Sequence, residues 1–340
     1  MKQHHKANQM TDAAPSRREF AQRLREETMA CRLERSQFGT SRKVNDEQKG
    51  RMAELFGADA SRLAANKKLL NKRHDAYLAV TSALNRARDC WMDNTVPYPE
   101  PGLRLIKRDR VEAFDTAMRA IKADLDAAKL ELERVYTDEL IPDARERLGS
   151  LFNVADYPME ISGEFDVAWG FSNVEPAEYL REISPRLYEA EQERVRARFE
   201  EAIALTEAAF VEELSQMVSR LVDRLTPQPD GKKQVITESS VENLNGFFDR
   251  FRTLNIGSNA DLDRIVDEAL RIVKGVDVKN LRKDVTAQGS IRSSMQELAR
   301  QLDGMVVDRP KRKITLGEET VGPQDDAPPM QESGQPNEAA

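Results

Sequence analysis

From Val111 the apolar positions run Val111, Phe114, Met118, Ile121, Leu125, Ala128, Leu132 and Val135, in alternating steps of three and four. That spacing lays one apolar stripe along a helix over about Arg110–Leu148, the seam of a coiled coil or of a packed helix hairpin. Asp109 is its expected N-cap, Pro142 a kink in its last turns and Gly149 its end. A second recurrence every seven residues, Leu63, Leu70, Tyr77, Leu84 and Trp91 with Val80 and Ala87 in support, predicts a helix over about Asp59–Met92. A third stripe, Val195, Phe199, Ile203, Phe210, Leu214, Met217, Leu221 and Leu225, predicts a helix over about Ala177–Leu225 with an early break at Ser184-Pro185. Near forty residues, such a helix spans about 60 Å. The expectation is that the first and third helices lie side by side, antiparallel, as a long hairpin.

The interruptions are equally readable. Pro97, Pro99 and Pro101 fall within five residues, so the helix ending near Met92 cannot continue. Leu103–Lys107 and Phe165–Phe171 alternate with period two and predict strands, expected to pair with each other as a two-strand tip on the hairpin. Pro15-Ser16 opens an expected basic helix from Arg17 to about Phe38, Gly39–Lys43 reads as a linker, and Asn45 or Asp46 caps a helix to Phe56 that Gly57 ends. Beyond the Pro227–Lys233 linker, Glu238–Leu254 and Ala260–Val273 predict two short helices, Val278–Leu281 a turn and Ser290–Met305 a last helix. The expected organisation is a disordered and basic helical arm (1–44), a helical hairpin domain (45–226), a small C-terminal helical module (234–309) and a disordered tail (310–340). The fold class is mainly α.

Composition agrees: 33% of residues are charged and 6% aromatic, which suits long helices with solvated faces. Charge changes the picture more. Residues 1–110 carry 23 Lys+Arg against 14 Asp+Glu, whereas 111–230 carry 13 against 27. The last 24 residues hold six acids and no base. Such segregation implies either docking of the basic part on the acidic part or separate partners for each. No apolar run is long enough for a membrane span, no secretory h-region opens the chain, and the two cysteines, Cys31 and Cys90, lie far apart, so a cytoplasmic, reduced protein is expected.

Candidate chemistry is sparse. Walker, Gly-x-Gly-x-x-Gly, Gly-x-Ser-x-Gly and His-Glu-x-x-His patterns are absent, and His74 is the one histidine outside the N-terminal stretch. His74 reads as a seam-edge residue. No enzyme activity, cofactor or metal site is expected. Trp91, Tyr98, Arg104, Tyr157, Trp169 and Phe171 form either a partner-docking surface or a small local core capping the helix ends. Lys67, Lys68, Lys72 and Arg73, extended by Lys107, Arg108 and Arg110, are candidate phosphate contacts. The alternative for them is a solvated face, or one docked on the acidic helix 111–148.

Several stretches carry a resemblance: Cys90-Trp91 with Thr95–Ile106, Arg145–Pro158, Val174–Leu180, Val241–Leu244 with Leu254–Ile256, and Val307–Arg312. Together they resemble an uncharacterised family of helical proteins from planctomycete bacteria and, more loosely, phage-type proteins of unknown function. The resemblance implies no activity. It implies an AAA-type ATPase as a partner, because the phage-type relatives are similar to proteins encoded beside such ATPases. The expected function is that of a non-catalytic scaffold or adaptor with a protein partner, as a monomer or a homo-oligomer. Nucleic-acid binding through basic residues 1–110 is the second reading.

Overall fold

The computed structural model describes residues 16–227, 237–255, 257 and 259–307. The N-terminal stretch, most of the Pro227–Lys233 linker and the 310–340 tail lie outside the described residues. In chain order the elements are α1 (Arg17–Glu27), β1 (Thr28–Ser36), β2 (Ser41–Lys43), α2 (Asp46–Phe56), β3 (Asn66–Lys68), α3 (Asp75–Asn94), β4 (Thr95–Pro97), β5 (Leu103–Lys107) and α4 (Val111–Val135). They continue with α5 (Ile141–Leu148), β6 (Asp166–Ser172), α6 (Tyr179–Ile183), α7 (Pro185–Leu225), α8 (Glu238–Leu254), α9 (Ala260–Val273), α10 (Val278–Leu281) and α11 (Val285–Val307). The chain is mainly α, as the apolar periodicity predicts.

A long antiparallel helix hairpin is present, but its arms are α3 and α4, not α4 and α7. His74 faces Glu139 at 3.3 Å and Arg86 meets Asp124 at 2.8 Å, so the two helices run in opposite directions. The Pro-rich segment, folded as the antiparallel β4–β5 ribbon, returns the chain directly along α3. Tyr77, Val80, Leu84 and Ala87 of α3 are buried in one core with Phe114, Met118, Leu125 and Leu132 of α4. The stripe of α7 is instead covered by α1 and by α8–α11, with Phe199, Phe210, Leu214 and Leu221 in one core with Phe247, Ile265 and Leu298. That core is continuous across the expected boundary near 227.

The expected strands also form, yet they do not pair with each other. The sheet order is β4-β5-β1-β6, and β1 lies between the two, antiparallel to both. The helix expected over Arg17–Phe38 therefore stops at Glu27. Ser16 caps it through a capping box with Glu19, and the β-branched Thr28 ends it, its hydroxyl donating to the Leu24 carbonyl at 2.6 Å. Leu105 of β5 enters the α7 core and Ile106 the α3–α4 core, so the sheet separates the two.

Three boundaries match their local chemistry. Asn45 caps α2 and Gly57 ends it with φ 61°. Ser184 caps α7, whose first residue is Pro185. Before Pro142, Tyr136–Leu140 forms a π turn in which the Ile141 N–H donates to the Tyr136 carbonyl, so α4 passes into α5 without a full break.

Part of the segregated charge is paired inside the molecule. Arg17 and Arg18 of α1 reach Glu207 and Glu200 of α7, each at 3.7 Å, and Arg25 pairs with Glu175. Lys67 and Arg86 likewise pair with acids of the 111–230 segment. Leu125 is fully buried at the middle of the α3–α4 seam. Leu125→Pro should therefore lower stability by about 3 kcal/mol or more, read as a shifted urea midpoint in far-UV circular dichroism. An unshifted midpoint would contradict the seam.

Candidate docking cleft

At the end of the α3–α4 hairpin that holds the α3 N-terminus, the chain leaves the helix expected over Asp59–Met92 and becomes a β ribbon and a loop. Lys68 and Lys67 of β3 pair with Ser41 and Arg42 of β2, so Leu63 and Leu70 do not extend α3. The Asn71 side chain accepts from the Arg73 N–H at 3.0 Å, and His74 is the N-cap of α3, its Nδ1 accepting from the Ala76 N–H at 3.3 Å. His74 is thus a capping residue whose Nε2 faces Glu139.

Between this loop and α5 lies a cleft of about 900 Å³. One wall runs from Asn66 to Arg73, and the other comprises Asp143, Ala144, Arg147, Leu148 and Leu151. Leu69, Leu70 and Ala144 are buried, Leu148 and Leu151 are half-buried, and Lys68, Lys72, Arg73 and Arg147 are exposed. An apolar floor therefore carries a basic rim. Asp143 is occupied by Arg147 at 2.5 Å. Lys67 is turned inward, its ammonium donating to the Leu151 carbonyl at 2.7 Å and meeting Asp156 at 2.6 Å. It ties the two walls together. Lys68, Lys72 and Arg73 make no side-chain hydrogen bond or ion pair among the described residues.

Four of the candidate phosphate contacts, Lys67, Lys68, Lys72 and Arg73, thus line one cleft, and three present free charge. The other three lie elsewhere. Lys107 donates to the Thr253 carbonyl at 2.8 Å, and Arg108 to the Thr28 carbonyl at 3.4 Å. Arg110 lines a separate cavity of about 410 Å³ with Asp93, Asp249 and Arg250, and its Nε is buried without a partner. The opposing wall, with Arg147 and Leu148 of α5 and Leu151 just beyond it, is absent from the sequence-based candidates. Its signal was the stretch Arg145–Pro158, but nothing in the spacing shows that it faces Lys68.

The six candidate docking residues serve packing. Tyr98 is buried with its ring edge-on to Phe199, and its hydroxyl sits beside Arg198 without a well-formed hydrogen bond. Tyr157 stacks on Phe152 and donates its hydroxyl to the Leu69 carbonyl at 3.0 Å, which braces the cleft floor from below. Trp169 donates to Asp115 at 2.9 Å, and Phe171 packs edge-on to Phe114. Arg104 lies over the Trp91 ring at 5.5 Å and donates to the Thr95 hydroxyl and carbonyl. Burial, then the nearby Arg250 charge, lowers the Arg104 pKa to about 10. Burial pushes the Cys31 thiol up to about 12, and burial also raises that of Cys90.

Among the described residues no three His, Cys, Asp or Glu side chains are grouped to hold a metal ion, and no helix is long and apolar enough to cross a membrane. No protein-family model matches the chain, and neither the curated proteins nor the solved structures contain a match to it.

Two outcomes follow from these environments. Lys67→Met leaves the Asp156 carboxylate without its cation and should cost about 3 kcal/mol in chemical denaturation. Both thiols are raised above their ordinary value and so stay protonated at pH 8, where the thiolate is the reactive form. Iodoacetamide should therefore leave the buried Cys31 unlabelled in the folded protein, label half-buried Cys90 slowly, and label both at once in urea. Peptide mass spectrometry distinguishes these cases.

Proposed function

We propose that the protein is a non-catalytic interaction protein that holds an acidic partner in the cleft between the Asn66–Arg73 loop and α5. The observation that carries this reading is the free charge of Lys68, Lys72 and Arg73. Several cations of residues 17–110 are neutralised by acids of the same chain, as at Arg17, Arg25, Lys67 and Arg86. The three rim cations are left facing solvent over a built concavity, where opposite charge steers association and selects against basic partners. Two free cysteines accord with a reducing, cytoplasmic setting.

Nucleic acid is the second reading, favoured by the same three cations. It is weakened because Lys107 and Arg108 are turned into backbone contacts and do not prolong the cleft into a stripe. An AAA-type ATPase as the partner rests on the family resemblance alone.

Heparin, a polyanion, tests the shared claim. The full chain should be retained at low salt, and K68E/K72E/R73E should elute at clearly lower salt with an unchanged circular dichroism spectrum. Identical elution of the two proteins would overturn the reading.

A further inference from the structure

We propose that the occupant of this cleft is an amphipathic acidic peptide segment of a partner protein, with apolar side chains on one face and carboxylates flanking them. The inference rests on the proposed function and adds the chemistry of the partner. The cleft is basic only at its rim. Its floor is Leu69, Leu70, Ala144, Leu148 and Leu151, of which Leu148 and Leu151 retain exposure. A phosphodiester backbone has no apolar group with which to cover those leucines. The cleft lining also contains no aromatic side chain on which a base would stack. A helix or turn carrying Leu or Ile at i, i+3 and i+4 would cover the floor, and its flanking Asp or Glu would meet Lys68, Lys72 and Arg73. The apolar contact supplies affinity and the charges supply orientation.

The molecule already contains one interface of this composition. Where α1 lies on α7, Ala21 and Leu24 are buried with Phe199 and Ile203, while Arg17 and Arg18 reach Glu207 and Glu200 at the margin. The cleft offers the basic and apolar half of such a contact without the acidic half.

The test uses the full chain and a fluorescein-labelled peptide of about four helical turns, built from Glu and Leu with Leu at i, i+3, i+4 and i+7. Anisotropy should show saturable binding. K68E/K72E/R73E, which alters exposed side chains only, should weaken it about tenfold or more. L148N/L151N, checked for an unchanged thermal midpoint, should weaken it comparably while leaving heparin elution where it was. A scrambled Glu/Leu peptide, or a DNA duplex of similar length, binding as tightly as the patterned peptide would overturn the proposal. So would unchanged affinity in L148N/L151N. The acidic 317–340 segment of this chain is the rival occupant. If E318Q/E319Q/D325N/D326N binds the peptide about tenfold more tightly than the parent chain, that segment fills the cleft and the partner proposal falls. Loss of the heparin difference would instead remove the underlying reading, so the two failures are separable.

Discussion

The contact between α3 and α4 is the one on which the rest depends. Each fully buried Leu, Phe or Met side chain of this seam contributes about 1.5–3 kcal/mol. The seam fixes the antiparallel register of the two helices, and three other features inherit it. At one end it sets the β4–β5 ribbon against the base of the hairpin, which gives β1 an edge to join. Along its flank it receives Val167, Trp169 and Phe171 of β6, which close the sheet. At the other end it holds the α3 N-terminus and α5 at the spacing that leaves the cleft between them. Lys67 and Tyr157 then brace the cleft by bonds to Leu151, Asp156 and Leu69.

Much of this was legible in the chain. The α4 stripe, the α7 stripe, the cap at Asn45, the break at Ser184-Pro185 and the terminations at Gly57 and Pro97 are local events, decided by residues within a turn or two of one another. Partner choice is not local. The α4 stripe fits α3 and α7 equally well on periodicity, and what decides between them is the tight reversal through β4 and β5. β1 was missed for a related reason. Met29, Cys31 and Leu33 alternate, but that short alternation follows a capped helix without any Gly or Pro to separate the two. The cleft was half legible. Its basic wall is contiguous in sequence, while Leu148 and Leu151 arrive from some eighty residues away.

Each of the aromatic docking candidates has a packing role inside the molecule. Tyr98, Trp169 and Phe171 sit where the sheet meets its helices, whereas Tyr157 lies under the cleft against Phe152 and Leu69. Cations that already have acids beside them orient one part of the chain on another. Lys68, Lys72 and Arg73 make no such pair among the described residues and lie over the apolar cleft floor.

The central position of β1 has a consequence for synthesis on the ribosome. Arg32 sits opposite Leu103 on one side and Gly170 on the other. The first strand made is therefore the last to be flanked on both sides, and its second edge stays open until residues near 172 have emerged from the exit tunnel. The α3–α4 pair closes over short loops and forms early, whereas β1 must wait for a neighbour encoded well over a hundred codons downstream. During that interval the nascent chain carries an unpaired strand edge, the kind of edge that templates pairing with another chain.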